Sequence, residues 1–220
     1  MNLTEHCVPV TGATADSRPN DRLADRVVIV TGAGSGIGRA TAIAFARAGA
    51  HVLGVGRRQA NLHHTASEHS AITAFVADIC AEGTPSAVVN EAIDRWGRVD
   101  VLVNNAGAAA IIPLAEITGT RIAELFALNV TAPSLLAREA LPHLREVAGS
   151  IVNVSSTFGH RPLPGGSHYA ASKSAIEMLT QSWALELADE NVKVNAVAPE
   201  VVPGLVEVEV AVPRSRPAVW

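Results

Sequence analysis

Short apolar runs alternate with longer segments of helical periodicity along most of the chain. The apolar runs are rich in Val and Ile, which is typical of strands covered on both faces of a parallel sheet. The pattern predicts strands at 27–30, 51–55, 74–76, 101–103, 151–154 and 192–197, and helices at 37–48, 86–96, 121–145 and 169–188. We therefore expect an α/β fold with a doubly wound parallel sheet, in which ligands bind at the carboxyl ends of the strands.

The length of 220 residues fits a single domain, which we place at 23–204. Residues 1–22 are polar and lack apolar periodicity, so they are predicted to be a flexible leader. Residues 205–220 are predicted to be an atypical tail, in which 206–212 alternates like a half-buried strand. This segment follows the sixth strand too closely for the usual crossover, so an edge pairing, a loose tail and a frameshifted C-terminus all stay open.

Composition narrows the classes of partner. The chain is 48% hydrophobic and 17% charged, with a net charge of -4 and no run of Lys or Arg, which argues against a nucleic acid or a basic membrane surface. Cys7 and Cys80 match neither a disulfide framework nor a metal site. No stretch approaches the roughly 18 apolar residues of a membrane span. We expect a cytoplasmic protein that acts on small molecules without a metal.

A glycine-rich turn follows the first predicted strand and runs into the first helix. It reads Thr31-Gly32-Ala33-Gly34-Ser35-Gly36-Ile37-Gly38. Glycines bring backbone N–H groups close to a pyrophosphate, which the helix N-terminus also attracts. The spacing does not satisfy G-x-G-x-x-G, and the lysine of a P-loop is absent. The order of strand, turn and helix nevertheless favours a dinucleotide site of the Rossmann type over an ordinary turn.

The end of the second predicted strand indicates which dinucleotide is bound. Folds that take NAD usually place an acidic residue there for the ribose hydroxyls, but this chain reads Gly56-Arg57-Arg58. No carboxylate repels a 2′-phosphate, and the planar, permanently charged guanidinium of Arg57 suits phosphate oxygens. We predict NADP(H) rather than NAD(H), with Arg57 as the first contact and Arg58 as the second. Two solvated arginines are the alternative.

Tyr169 and Lys173 lie four residues apart, which places a phenol and an ammonium on one face of a helix. A phenol has a pKa of about 10, and a nearby positive charge lowers it. Such a pair can donate a proton, although alone it is more often a solvated helix face. No G-x-S-x-G turn is present, so a Ser-His-Asp hydrolase is not indicated.

Five separated motifs resemble those of the short-chain dehydrogenase/reductase family, in the family's order and spacing. They are Thr31-Gly32-x-x-x-Gly36-x-Gly38, Asn104-Asn105-Ala106-Gly107, Asn129, Ser156 and Tyr169-x-x-x-Lys173. The resemblance covers 23–204 and implies hydride transfer between a nicotinamide cofactor and a ketone or secondary alcohol. Together with the arginine argument, the predicted cofactor contacts are Thr31, Gly32, Gly34, Ser35, Gly36, Ile37, Gly38, Arg57, Arg58, Asp78, Ile79, Asn105, Ala106, Gly107, Tyr169, Lys173, Pro199 and Val202.

The resemblance also implies a role for each polar residue of the reaction site. Tyr169 is the acid/base, Lys173 holds the nicotinamide ribose and lowers the pKa of the phenol, and Ser156 binds the substrate oxygen. Asn129 positions a proton-relay water. Hydrogen-bond donors held in advance at an oxygen that gains negative charge lower the barrier. Ser155 is expected to be structural. Asn129 is unfavourable inside a helix and predicts a local backbone irregularity, with a buried, satisfied Asn as the alternative.

By the same resemblance Asp78 would bond the amino group of adenine and Ile79 would pack on the ring, although a turn-forming Asp is equally compatible. Glu200 stands where the family usually has glycine, and Gly204 stands near a usual threonine. The usual seventh strand and substrate-covering segment are not recognisable in the sequence, so we expect the fold to lack both. The alternative function is therefore a shortened relative that binds dinucleotide or a homologous subunit without turnover.

Family members commonly pair through the two helices that correspond to 121–145 and 169–188. We therefore expect a homodimer. A tetramer is not expected, because its usual second contact uses the strand that the sequence does not show. The identity of the substrate does not follow from the sequence.

Overall fold

The computed structural model of the chain describes residues 21–200. Its strands are β1 (Val27–Thr31), β2 (His51–Gly56), β3 (Ile72–Val76), β4 (Val101–Asn104), β5 (Ser150–Val154) and β6 (Lys193–Val197). All neighbouring strands are parallel, and they form one sheet in the order β3-β2-β1-β4-β5-β6. The predicted α/β fold is confirmed. The strand order reverses between β1 and β4, which is the point where doubly wound folds bind ligands.

The helices are α1 (Gly36–Arg47), α2 (Gln59–Ser67), α3 (Thr84–Trp96), α4 (Gly119–Phe126), α5 (Ala132–Glu146) and α6 (Ser167–Glu186). Sequence analysis did not predict α2. Its sequence is mostly polar and buries only Leu62 and Thr65, so its apolar periodicity is weak. Topology explains the helix, because the parallel pairing of β2 with β3 requires a crossover connection.

The single helix predicted at 121–145 is interrupted. A π-helical segment, Ala127–Thr131, lies between α4 and α5, and it contains Asn129. Single π-turns inside α-helices are frequent at functional sites. The predicted backbone irregularity at Asn129 is therefore present, and Asn129 is also buried, as the alternative interpretation required.

The core lies on both faces of the sheet. Successive side chains of β1 point to opposite faces of the sheet, and helices cover both faces. Every residue of β1 is therefore buried. Val27 and Ile29 pack with residues of α3 and α5, whereas Val28 and Val30 pack with residues of α1 and α2. The helices packed on the two faces of the sheet fix the carboxyl ends of β1, β4 and β5 relative to one another. The candidate site lies at these ends.

Several sequence predictions concern segments outside the described residues. These are most of the leader at 1–22, the cofactor contact Val202, the position Gly204 and the tail at 205–220. Within residues 21–200, no helix is long and apolar enough to span a bilayer.

Candidate active site

The glycine turn joins β1 to α1 and packs tightly against the end of β4. Gly32 has a φ of +69°, and a Cβ there would lie 2.7 Å from Asn105 Nδ2. A Cβ on Gly38 would lie 2.3 Å from Gly32 O and from Asn105 Nδ2. A side chain at either position would displace the turn, so glycine is required here by backbone conformation and by close contact.

Thr31 connects the same two strand ends. Its hydroxyl accepts hydrogen bonds from the backbone N–H groups of Asn105 and Ala106, each at 3.0 Å, and lies 3.3 Å from Val103 O. Asn105 Nδ2 donates to Thr31 O at 2.8 Å. Thr31 is 1% exposed and does not line the adjoining cleft. It therefore positions the turn and the Asn105 segment.

A cleft of about 440 Å³ opens at the carboxyl ends of β1, β2, β3 and β4. Most of the predicted cofactor contacts line it: Gly32, Gly34, Ser35, Gly36, Ile37, Gly38, Arg57, Arg58, Asp78, Ile79, Asn105, Ala106 and Gly107. The lining residues that sequence reasoning missed are Val55, Gly56, Ala77 and Leu128. Gly56 and Ala77 immediately precede the predicted contacts Arg57 and Asp78, Val55 lies one residue before Gly56, and Leu128 precedes Asn129. Adjacency to a strand end or to the irregular helix was therefore the available signal.

The two arginines lie at the end of this cleft and already have polar partners. Arg57 Nη1 is 3.6 Å from Asp78 Oδ2, and Arg58 Nη2 donates to Ser35 Oγ at 3.0 Å. The side chain of Arg57 is 69% exposed, so its guanidinium is accessible to an anion. Asp78 also accepts from the N–H of Cys80 at 3.0 Å, which is the turn-forming role left open above.

A second cavity, of about 180 Å³, adjoins the first and shares Ile37, Asn105 and Gly107 with it. It is lined by three of the four predicted catalytic residues, namely Ser156, Tyr169 and Lys173, and also by Pro199. Its remaining walls include the apolar residues Ile111 and Phe158 and the residue Glu200. The fourth predicted residue, Asn129, does not line it.

Tyr169 and Lys173 share one face of α6, as their spacing predicted. Lys173 Nζ lies 5.9 Å from the centroid of the Tyr169 ring and donates to Val154 O at 2.8 Å. Burial lowers the pKa of Lys173 to about 8, and the nearby Glu177 carboxylate opposes this change. At pH 7 most Lys173 side chains therefore keep their charge.

The expected lowering of the Tyr169 pKa is not observed. Burial raises the pKa of this phenol, and a hydrogen bond with Ser156 opposes the rise. The expectation treated Lys173 as a charge beside the phenol oxygen. Instead the ammonium lies over the ring and is bonded to a backbone carbonyl, while burial of the phenol disfavours the phenolate.

Asn129 connects the π-helical segment to the site. Its Nδ2 donates to Ala108 O and to Ser172 Oγ, each at 3.0 Å, and its Oδ1 accepts from Ala108 N at 3.0 Å. Ser172 Oγ in turn donates to Tyr169 O at 2.7 Å. A Cβ on Gly107 would lie 3.1 Å from Asn129 Oδ1 and 3.4 Å from Lys173 Nζ. Asn129 therefore fixes the Gly107–Ala108 backbone beside the lysine.

The two serines after β5 are used differently. Ser155 borders the second cavity but is only 4% exposed, and its hydroxyl is used in a buried hydrogen bond that it donates to Glu177 Oε1. Ser156 begins the short 3₁₀ segment Thr157–Gly159, and its Oγ accepts from Phe158 N at 3.3 Å. Ser156 also forms a hydrogen bond with Tyr169, so its hydroxyl lies beside the phenol.

Comparison with known proteins identifies the family. A family model described as short chain dehydrogenase matches residues 26–213. The chain belongs to the short-chain dehydrogenase/reductase family. It is 40% identical over 184 residues to L-xylulose reductase of Mesocricetus auratus, covering 82% of this chain and 73% of that protein. It is 36% identical over 183 residues to 3-oxoacyl-[acyl-carrier-protein] reductase FabG of Thermotoga maritima, covering 81% of this chain and 74% of that protein.

Solved structures give the same result. A short-chain dehydrogenase/reductase of unknown function from Caenorhabditis elegans, solved with cofactor, is 36% identical, with a TM-score of 0.74 over 81% of this chain and 70% of that one. A short-chain dehydrogenase from Streptomyces avermitilis is 39% identical, with a TM-score of 0.76 over 79% of this chain and 65% of that one. As an oxidoreductase of this family, the protein acts on small molecules with a nicotinamide dinucleotide, NAD(P)(H).

Proposed function

We propose that this short-chain dehydrogenase/reductase is an NADP(H)-dependent enzyme that interconverts a ketone and a secondary alcohol. The observation that carries the proposal is the position of Ser156, Tyr169 and Lys173 in one cavity that adjoins the glycine-lined cleft. Relatives of similar sequence are named L-xylulose reductase, sorbitol dehydrogenase and 3-oxoacyl-[acyl-carrier-protein] reductase. Ketoses, polyols and 3-oxoacyl thioesters are therefore the first substrates to test.

The cleft fits a dinucleotide. Added Cβ atoms at Gly32, Gly38 and Gly107 would meet neighbouring atoms at 3.1 Å or less, so the backbone there is bare and close-packed. The N-terminus of α1 faces the same cleft through Gly36, and helix N-termini attract phosphates. In this proposal the turn binds the pyrophosphate, Asp78 and Ile79 border the adenine, and Lys173 holds the nicotinamide ribose.

Arg57 and Arg58 support a preference for the 2′-phosphate. Both guanidinium groups border the cleft at the end of β2. The existing partner of Arg57 is a half-exposed carboxylate at 3.6 Å, and exposed ion pairs of this kind contribute only about 0–1 kcal/mol. A phosphate could therefore compete for Arg57 at small cost. The Arg57→Ala variant should bind NADP(H) at least about tenfold more weakly while its affinity for NAD(H) changes little. An unchanged ratio of the two dissociation constants would exclude Arg57 as the selective contact.

The bound nicotinamide would supply or accept the hydride. The chain's own residues manage the oxygen and its proton: Ser156 donates a hydrogen bond to the substrate oxygen, and Tyr169 gives or takes the proton. Lys173 holds the nicotinamide ribose with its ammonium over the phenol ring, and Asn129 orders the backbone next to Lys173 and a relay water. The raised pKa keeps Tyr169 protonated at neutral pH, so it is ready to act as a donor.

The decisive experiment is a cofactor titration followed by a panel of carbonyls and alcohols. The wild-type protein should bind NADP(H) and turn over at least one member of the panel. Tyr169→Phe should lose turnover by about a thousandfold or more, while its cofactor affinity stays within about twofold. Retained turnover would reject the mechanism. Tight binding with no turnover on any substrate would instead support the alternative of a dinucleotide-binding relative without activity.

We also propose that the protein forms a homodimer through α5 and α6, the helices that match the predicted pairing segments. Met178 and Leu185 on α6 are 61% and 82% exposed, and such large apolar side chains favour contact with another subunit. A monomeric mass in solution by light scattering would contradict this assembly.

A further inference from the structure

Glu177 lies one turn beyond Lys173 on α6 and is only 8% exposed. A glutamate this deeply buried normally needs a partner, because burial of an unpaired carboxylate is costly. The proposed mechanism does not use it, and it lines neither the dinucleotide cleft nor the second cavity. Its contacts show what it stabilises.

Both carboxylate oxygens of Glu177 face the turn at 155–160. Ser155 Oγ donates to Oε1 at 2.5 Å, and His160 Nδ1 lies 3.0 Å from Oε2. Gly159 makes room for the carboxylate, since a Cβ there would lie 2.8 Å from Oε1. The turn therefore contacts Glu177 at its first residue, at its last residue and between them.

This turn also carries Ser156, the proposed donor to the substrate oxygen. Ser156 directly follows Ser155, and its carbonyl accepts from Gly159 N at 2.8 Å. A further link to α6 comes from Ser174 Oγ, which donates to Gly159 O at 2.6 Å. The position of the Ser156 hydroxyl relative to α6 thus depends on a short segment whose two ends are bonded to one carboxylate.

The charge of Glu177 acts on the same face of the helix. The titratable groups that face it are Lys173 on α6 and His160 from the turn, and the end of β5 contributes the neutral hydroxyl of Ser155. The carboxylate favours the charged form of Lys173, against the burial that disfavours it. The position of Ser156 and the charge of Lys173 therefore both depend on the side chain of Glu177.

We propose that Glu177 is a positioning residue: its carboxylate ties the turn at 155–160 to α6 and so holds the Ser156 hydroxyl opposite the Tyr169 phenol. Glu177 acts through Ser155, His160 and Lys173 and does not itself touch the reactants. Its effect on turnover rests on the proposed function, but its effects on the turn and on Lys173 do not.

The test compares Glu177→Gln with Glu186→Gln, an exposed glutamate near the end of the same helix. Hydrogen exchange of the amides at 156–161 should become about tenfold faster in Glu177→Gln, as expected for the loss of a hydrogen bond to a charged group. The Glu186→Gln control should exchange like the wild type. If turnover is found, kcat should fall at least about tenfold in Glu177→Gln with the cofactor Kd unchanged.

The charge of Lys173 can be followed directly, because the sequence contains only two lysines, Lys173 and Lys193. Labelling with [ε-¹³C]lysine should give two NMR resonances, and the exposed Lys193 serves as an internal reference. The Lys173 midpoint should fall in Glu177→Gln and stay unchanged in Glu186→Gln.

The proposal would be overturned if folded Glu177→Gln kept the hydrogen-exchange rates of the wild type at 156–161 and also its titration midpoint for Lys173. If that variant does not fold, His160→Ala decides, because the His160 side chain is 67% exposed and its removal leaves the core intact. This variant should also speed exchange in the turn, and unchanged exchange would overturn the proposal. A wild-type protein without turnover would count against the proposed function only, since exchange and the lysine titration require no substrate.

Discussion

Replacing Lys173 by methionine tests the electrostatic state of the site without any ligand. Lys173 is 6% exposed, and burial lowers its pKa from 10.5 to about 8 despite the opposing Glu177 carboxylate. Methionine fills a similar volume and carries no charge. The comparison therefore separates the cost of burying the charge from the packing of the side chain.

The pH dependence of stability follows from the lowered pKa. In the unfolded chain Lys173 keeps its ordinary pKa of 10.5, so between pH 8 and 10.5 the unfolded state holds a proton that the folded state has released. Stability therefore rises with pH across this window, and the contribution is lost as pH falls through about 8. The difference between the pKa of 10.5 and the pKa of about 8 corresponds to about 3 kcal/mol of stability.

Urea unfolding of the wild type and Lys173→Met at pH 7 and pH 10 measures this contribution. The free energy of unfolding of the wild type, relative to the variant, should increase by about 2–3 kcal/mol between the two pH values. The lost hydrogen bond to Val154 O lowers the variant's stability equally at both. Lys193→Met, at an exposed position, should show no such difference. Parallel pH profiles for the wild type and Lys173→Met would refute the assignment of a buried ammonium.

Two further predictions concern the phenol and the glycine turn. Tyr169 is the one tyrosine in the sequence, so its ionisation can be followed by ultraviolet absorbance without interference from another phenol; burial raises its pKa, and a midpoint at or below 10 would contradict this. Gly38→Ala should lower stability by about 1–3 kcal/mol and weaken dinucleotide binding more than about tenfold, because the new Cβ would lie 2.3 Å from Gly32 O. Gly119→Ala is its control, since no atom lies within 4 Å of a Cβ there, and equal effects of both substitutions on Kd would rule out the close-contact explanation.

The sheet could be predicted from the sequence because its strands are buried on both faces. Burial of this kind leaves continuous apolar runs, such as the one at Val27–Thr31, and these runs are recognisable in a single sequence. Helix α2 left no comparable signal, since only Leu62 and Thr65 are buried and its outer surface is polar. Only the parallel pairing of β2 with β3 reveals that a crossover must be there.

Within the site, spacing predicted proximity but not electrostatics. Tyr169 and Lys173 share a helix face as four-residue spacing requires, yet the direction of the Tyr169 pKa shift was not predictable from that spacing. It depends on how much of the phenol is buried and on where the ammonium points, and both are set by tertiary packing. The role of Glu177 was not predictable from the sequence either. Its partners Ser155 and His160 come from a turn on another segment, and tertiary packing brings them to α6.

The two pKa shifts together define the resting state of the site. Burial raises the pKa of Tyr169 and lowers that of Lys173, so each group moves toward its uncharged form. At pH 7 the phenol nevertheless remains protonated and the ammonium, with a pKa of about 8, remains mostly charged. As the pH rises above 8, the lysine loses its charge before the phenol ionises. In the ligand-free protein at neutral pH, therefore, Tyr169 carries a proton that it can donate, and the ammonium of Lys173 lies over its ring.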